Sequence, residues 1–192
     1  ALVERTVGKG SEHLIRSVLA HQLALPELNA NGQVRAGRAD LLMAPAWQIY
    51  QHHYLQINGA FSNVYPGVLA ALQQWRDSGL PIACLTNKPL DFARPLLKTK
   101  GLDGFFAHVF GGDSFERKKP DPLPLHKTCE AMGTLAAQTL MVGDSENDGL
   151  AARAAGCPVV LVSYGYNHGR PIREVDADGY VDSLAELAFA TL

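Results

Sequence analysis

The sequence has little charge of either sign and almost no excess of one. Lys and Arg total 17 against 19 Asp and Glu, a formal net charge of −2 over 192 residues. With an isoelectric point near 6.4, that balance excludes an electrostatic grip on nucleic acid or on an anionic membrane surface. No apolar run approaches the roughly 18 residues of a membrane span. The first residues, Ala1 to Arg5, show neither the apolar stretch nor the cleavage site of a secretory signal. Cysteine is scarce: Cys84, Cys129 and Cys157 are odd in number, far apart and without a CxxC pair. This excludes a disulfide framework and a cysteine-based zinc site; buried thiols in a reducing, cytoplasmic setting are expected. The seven histidines contain no HxxxH, and the adjacent pair His52-His53 would face different sides of a helix. Internal repeats and low-complexity tracts are absent.

What is present is a core-forming composition, 47% apolar against 19% charged, which argues for a folded protein. The chain changes character near Asn63. Before it the pattern is helical. Ser11 is placed to cap a helix with Leu14, Ile15, Val18 and Leu19 on one face. Pro26 to Gly37 reads as a connection. A second helix is expected from about Ala39 to Ile57, with Leu41, Leu42, Ile49 and Tyr50 as its apolar positions. Pro45 should start or kink it, and Asn58-Gly59 should end it.

After Asn63 short apolar runs alternate with helical ones. Helices are expected over Pro66–Ser78, with Pro66 near its first position, and over Leu90–Lys100, Pro122–Met132 and Asn147–Ala155. A last helix is expected from Ser183. Strands are expected at Pro81–Leu85, Ala107–Phe110, Thr139–Val142 and Pro158–Val162, with an edge strand at Gly179–Val181. Gly79, Gly101, Gly133 and Gly156 mark helix ends. Such alternation implies an α/β fold with a parallel sheet, whose ligands bind beyond the carboxyl ends of the strands.

Those strand ends carry chemistry. Leu85 is followed by Thr86-Asn87-Lys88, and Val142 by Gly143-Asp144-Ser145-Glu146-Asn147-Asp148. Between them lies the cationic loop Arg117-Lys118-Lys119-Pro120-Asp121-Pro122. Thr86 and the backbone N–H of Asn87 can donate to phosphoryl oxygens, and Lys119 can set a positive charge against them. Mg²⁺ takes oxygen ligands, usually one or two carboxylates with water and substrate. Asp144 is placed to be one; Asp148, four residues on, is a second ligand or an anchor behind it. Taken singly, each element has a plainer account. Thr86-Asn87 can cap a helix, Lys118-Lys119 can be a solvated loop, and acids favour a helix N-terminus. Three separate junctions assembling the parts of one phosphate site is a poorer coincidence than one site.

Leu85-Thr86-Asn87-Lys88, Lys119-Pro120-Asp121-Pro122 and Gly143-Asp144-Ser145-Glu146-Asn147-Asp148 resemble the second, third and fourth motifs of the haloacid dehalogenase superfamily of phosphatases. The resemblance runs from Val64 to the C-terminus. Four further stretches are similar to the bacterial phosphoglycolate phosphatases within that superfamily: Val7-Gly8-Lys9-Gly10, Val64-Tyr65-Pro66-Gly67, Gly111-Gly112-Asp113-Ser114 and Tyr164-Gly165-Tyr166-Asn167-His168-Gly169. The resemblance implies a Rossmann-like, doubly wound parallel-sheet core over residues 64–192 and a small helical cap over 1–63. It implies a Mg²⁺-dependent phosphomonoesterase acting through an aspartyl-phosphate on a small phosphorylated substrate, 2-phosphoglycolate first. Thr86 and Lys119 would be catalytic, Thr86, Asn87 and Lys119 would bind the phosphoryl group, and Asp144 and Asp148 would hold the metal. A monomer or homodimer is expected.

The family's first motif, Asp-x-Asp-Gly-Thr after an apolar strand, supplies the nucleophile and has no counterpart before Asn63. Asp176-Ala177-Asp178-Gly179 has similar letters, but it follows the other motifs, and Arg173-Glu174-Val175 before it reads as unburied; a surface turn is expected. The family pattern puts the missing strand mid-sheet, between the strands ending at Leu85 and Val142. Each unmet backbone group left there would cost about 1–3 kcal/mol against a net stability of about 5–15 kcal/mol. Residues before Ala1 are therefore expected in the natural protein. Two other functions fit the same residues: a phosphatase or phosphomutase for another small phosphate such as a sugar phosphate, and a catalytically silent phosphate-binding module.

Overall fold

The computed structural model describes residues 6, 10–23 and 38–189. The expected connection at Pro26–Gly37, and Val7 to Lys9 of the first family-like stretch, lie outside the described residues. Two helices precede Asn63: α1 (Ser11–Leu23) and α2 (Arg38–Ile57), packed against each other. The Gly10 carbonyl accepts from the Leu14 N–H, so Gly10 holds the cap position and Ser11 is the first helical residue rather than the cap. Ile15 is the buried residue of α1, with Leu14, Val18 and Leu19 partly covered beside it.

Helix α2 departs from expectation in two ways. It runs through Pro45 rather than starting there. Its covered stripe is also not the aliphatic one. Leu41 is 81% and Ile49 60% exposed, whereas Met43, Ala46, Trp47, Tyr50, Gln51 and Tyr54 are partly covered. That spacing of three and four is one helix face, and half of its members, Trp47, Tyr50 and Tyr54, are aromatic.

The second region alternates as expected: α3 (Val68–Asp77), β1 (Ala83–Leu85), α4 (Leu90–Thr99), β2 (His108–Phe110), α5 (Leu123–Met132), β3 (Met141–Gly143), α6 (Glu146–Ala155), β4 (Val159–Val162) and β5 (Gly179–Val181). Pro66 precedes α3, whose cap is Gly67, so proline does not occupy the first helical position. No helix begins at Ser183; a single 3₁₀ turn, Leu184–Glu186, stands there. Its Leu187 carbonyl accepts from Trp75 Nε1 at 3.1 Å, a tertiary bond that fixes the tail without a helix.

All strand pairs are parallel. They form two blocks, β1-β2 and β3-β4-β5, with β1 Leu85 opposite Phe110, and β3 Gly143 opposite Leu161. Among the described residues no ladder joins β1 to β3, the junction where the family resemblance places one more strand.

The core lies in two clusters. Val159 and Leu161 of β4 are fully buried with Ala151, Ala152 and Ala155 of α6, Leu125 and Cys129 of α5, Cys157 and Val175. The burial of Val175 corrects the reading of Arg173-Glu174-Val175 as wholly exposed: the turn before β5 tucks one valine against α6. The second cluster centres on Ala71, Leu72 and Trp75 of α3. Leu85 packs on the first cluster and Ile82 on the second; three residues apart on extended chain, they face opposite sides of the sheet, which is therefore covered on both faces. The cysteines are free, and burial together with neighbouring Cys129 pushes the Cys157 thiol up to about 11. No helix among the described residues is long and apolar enough to cross a membrane.

Candidate active site

The carboxyl ends of β1 and β3 open into one cavity of about 300 Å³, roofed by α1 and α2. Thr86, Asn87, Lys119, Asp144 and Asp148 all line it, so the three separated loops do converge. The binding between them is specific. Lys119 is 8% exposed. Its Nζ donates to the Leu85 carbonyl at 2.8 Å and pairs with Asp148 Oδ1 at 2.7 Å. One ammonium thus ties the end of β1 to the start of α6, and Asn87 Nδ2 donates to the Lys119 carbonyl at 2.9 Å to hold the cationic loop from the other side. The Lys119-Pro120 peptide is cis.

The strand-to-helix turn after β3 is a capping box. Asp148 Oδ2 accepts from the N–H groups of Asp144 (3.0 Å) and Ser145 (3.1 Å) and from the Ser145 hydroxyl (2.9 Å), closing the first turn of α6. Gly143 lies so close to the Asp148 side chain that any Cβ there would collide with it. Burial pushes the Asp148 carboxyl up, but Lys119 and these donors outweigh it and hold the group below the usual carboxylate range. Both Asp148 oxygens are engaged by protein donors, which suits an anchor better than a metal ligand.

Asp144 is the contrasting acid. Burial, and then the neighbouring Asp148 charge, push its carboxyl above the ordinary value. The Tyr166 N–H donates to its Oδ2 at 3.1 Å. The backbone of Gly165 passes against this carboxylate at φ 121°, a conformation and an approach that a side chain would prevent. A buried acid whose burial and acidic neighbour outweigh the nearby Lys119 charge, beside an acid already satisfied, fits a hard divalent cation such as Mg²⁺, which accepts one or two carboxylates and fills the rest of its shell with water and substrate. Among the described residues no group of three His, Cys, Asp or Glu is arranged as an all-protein cage. Glu146 turns away to Arg170, 2.8 Å from its Nη1.

Thr86 continues the β1–β2 ladder, its N–H donating to the Phe110 carbonyl at 3.0 Å. Its hydroxyl oxygen accepts from the Lys88 N–H at 3.1 Å, which leaves the hydroxyl proton for a ligand.

The residue types alone did not single out Tyr50, Tyr54, Lys88, Tyr166 and Asn167. Tyr50 and Tyr54 enter the cavity from α2, their rings stacked at 5.2 Å, with Phe92 of α4 5.0 Å from Tyr54. The stripe Trp47, Tyr50, Tyr54 at helical spacing was the available signal. Asn167 caps α6 from afar, its Oδ1 accepting from the Glu146 N–H at 2.8 Å; only the tertiary fold brings that loop to the helix.

The Asp176-Ala177-Asp178 stretch is structural. Arg153 forks onto both carboxylates at 2.8–3.0 Å, and Asp178 accepts from the Val159 N–H at 2.7 Å. It therefore sits at the amino end of β4, away from the strand ends that carry the cavity.

Comparison with known proteins agrees with this geometry. Residues 2–156 match the haloacid dehalogenase-like hydrolase family. The chain is 43% identical over 182 residues to a phosphoglycolate phosphatase of Thiobacillus denitrificans, covering 95% of this chain and 75% of that one. It is 39% identical to a phosphoglycolate phosphatase of Vibrio vulnificus, covering 94% and 75%. Among solved structures, a predicted phosphoglycolate phosphatase from Haemophilus somnus superposes with a TM-score of 0.83 at 30% identity, covering 96% of this chain and 79% of that one.

Proposed function

The chain belongs to the haloacid dehalogenase-like hydrolases and, with phosphatase relatives along nearly its whole length, is a phosphatase; from that premise we propose that it hydrolyses a small phosphomonoester, 2-phosphoglycolate first, with Mg²⁺ bound at Asp144. The observation that carries this reading is the buried Lys119, clasped between the Leu85 carbonyl and Asp148 in a cavity it shares with Thr86 and Asp144.

Each residue then has a task. Thr86 and Asn87 bind the phosphoryl oxygens. Lys119, held in place by Asp148, sets fixed positive charge against the charge those oxygens gain at the transition state. Asp144 holds the metal, which would supply further charge neutralisation and orient the phosphoryl group. Asp148 fixes the turn from which Asp144 projects. The helical pair α1–α2 acts as a cap that keeps out water not placed for attack. The attack on phosphorus, through an aspartyl-phosphate, is assigned to the Asp-x-Asp motif of the family pattern, which none of these 192 residues matches in context.

The test is release of inorganic phosphate from 2-phosphoglycolate by the full-length protein, with Mg²⁺ and after chelation. Asp144→Ala is expected to abolish the Mg²⁺-stimulated rate; near-normal turnover in that variant would overturn the metal assignment. A substrate panel including sugar phosphates separates the 2-phosphoglycolate reading from its nearest rival.

A further inference from the structure

Among the described residues two ammonium groups line the cavity, and they are not equally provided for. Lys119 is held by an ion pair to Asp148 and a hydrogen bond to the Leu85 carbonyl. Lys88 pairs with no carboxylate among the described residues; its Nζ donates instead to the Tyr54 hydroxyl and lies 4.4 Å from the centre of that ring. The partners are themselves held. Lys88 donates its N–H to Thr86 Oγ1, and its carbonyl accepts from the Gly112 N–H at 2.9 Å. Tyr54 is braced by Tyr50 and Phe92. Burial holds the Lys88 ammonium below its usual range and the Tyr54 phenol above its own. Desolvation is the cause of both shifts, as expected in a partly dry corner. Lys88 is also only two residues from Thr86, so its charge is tied to the loop that binds the phosphoryl group.

We propose that Lys88, positioned by Tyr54, determines specificity by taking the carboxylate of a small phosphorylated acid whose phosphoryl group sits at Thr86 and Asn87. The inference rests on the phosphatase reading and adds to it the residue that distinguishes an acidic substrate from a neutral one. A molecule anionic at both ends satisfies both corners of the cavity: a metal-supported phosphoryl group at the strand ends and a carboxylate under the helical pair. A phosphoester with a neutral tail leaves Lys88 with only a phenol.

The experiment is calorimetric titration of this chain in Mg²⁺ with 2-phosphoglycolate and with ethyl phosphate, which has a neutral tail of the same length. The wild type is expected to prefer 2-phosphoglycolate by about 10–100-fold, the range of a hydrogen bond to a charged group. Lys88→Met should lower that preference to about threefold or less, Lys88→Arg should retain most of it, and Tyr54→Phe should fall between them. Lys88→Gln serves the same purpose should the methionine variant fail to fold. Equal weakening of both ligands in Lys88→Met overturns the assignment. So does a wild type that binds both ligands without preference, an outcome that leaves phosphoester binding intact. A wild type that binds neither ligand overturns the assignment and the phosphoester reading together.

Discussion

Two acid pairs, each beside one cation, stand at different ends of the parallel strands. Beyond the carboxyl ends of β1 and β3 Lys119 pairs with Asp148 while Asp144 shares the cavity; at the amino end of β4 Arg153 pairs with both Asp176 and Asp178. In residue types they are close to interchangeable. In burial they are not: the Lys119 and Asp148 side chains are 8% and 5% exposed, whereas Arg153 and Asp176 are 36% and 78% exposed. Water screens the second cluster and makes it a surface clasp. At the first, desolvation forces the two acids apart, one satisfied by lysine and donors, the other left wanting a cation. Burial rather than composition separates the two clusters.

The comparison can be broken most forcefully at Asp148. Asp148→Ala strands a buried ammonium and opens the capping box, and is expected to cost about 3–5 kcal/mol, read as a fall in the denaturant midpoint. A loss below about 1 kcal/mol would show that Lys119 finds water instead. Replacing Lys119 by Met together with Asp148 by Leu should recover much of that stability but no phosphate binding, because it removes the charge along with its partner.

Titration sharpens the contrast within the pair. Asp148 titrates below its unfolded value, so its contribution is present above about pH 4 and is lost as pH falls through its depressed folded value. Asp144 has the opposite sign. Its folded value is raised, so without metal its charge opposes folding at neutral pH, and that opposition fades as pH falls through the raised value. Asp144→Asn is therefore expected to melt higher than wild type at pH 7 in chelator, with the gap narrowing toward acid, while Mg²⁺ binding disappears. A variant that melts lower at pH 7 would contradict the view that Asp144 is held ready for a cation.

Smaller effects should follow away from the buried charge. Ser145→Ala removes one arm of the capping box and is expected to cost about 1 kcal/mol. Arg153→Ala, in the exposed clasp, should move the unfolding midpoint least and leave the binding of inorganic phosphate and Mg²⁺ as it was. A loss of either would tie the two clusters together through α6.

Much of the fold is legible in the sequence. The short apolar runs mark four strands to within two residues, and β5 at its full extent, because a buried parallel strand needs little beyond continuous apolar sequence between glycine-marked turns. That Thr86, Lys119 and Asp144 would meet in one cavity was legible because strand ends in such a fold point to one side. Less legible were the elements that depend on partners distant in sequence. The tail after Ser183 has a helical pattern but is held by Trp75 as a turn. The covered face of α2 is aromatic because it meets α4 and the cavity, and Val175 is buried because α6 carries Gly149 opposite it.

Local sequence determined the order of strands and helices, the places where helices stop, and which loops carry hydroxyl, ammonium and carboxylate groups, since propensity and periodicity act over a few residues. Tertiary structure decided which carboxylate is held by lysine and backbone donors and which is raised by burial beside it. It also decided which aspartate pair is buried, and that Lys88 faces a tyrosine rather than an acid. Those outcomes depend on desolvation and on distances between groups tens of residues apart, and neither exists until the chain has folded.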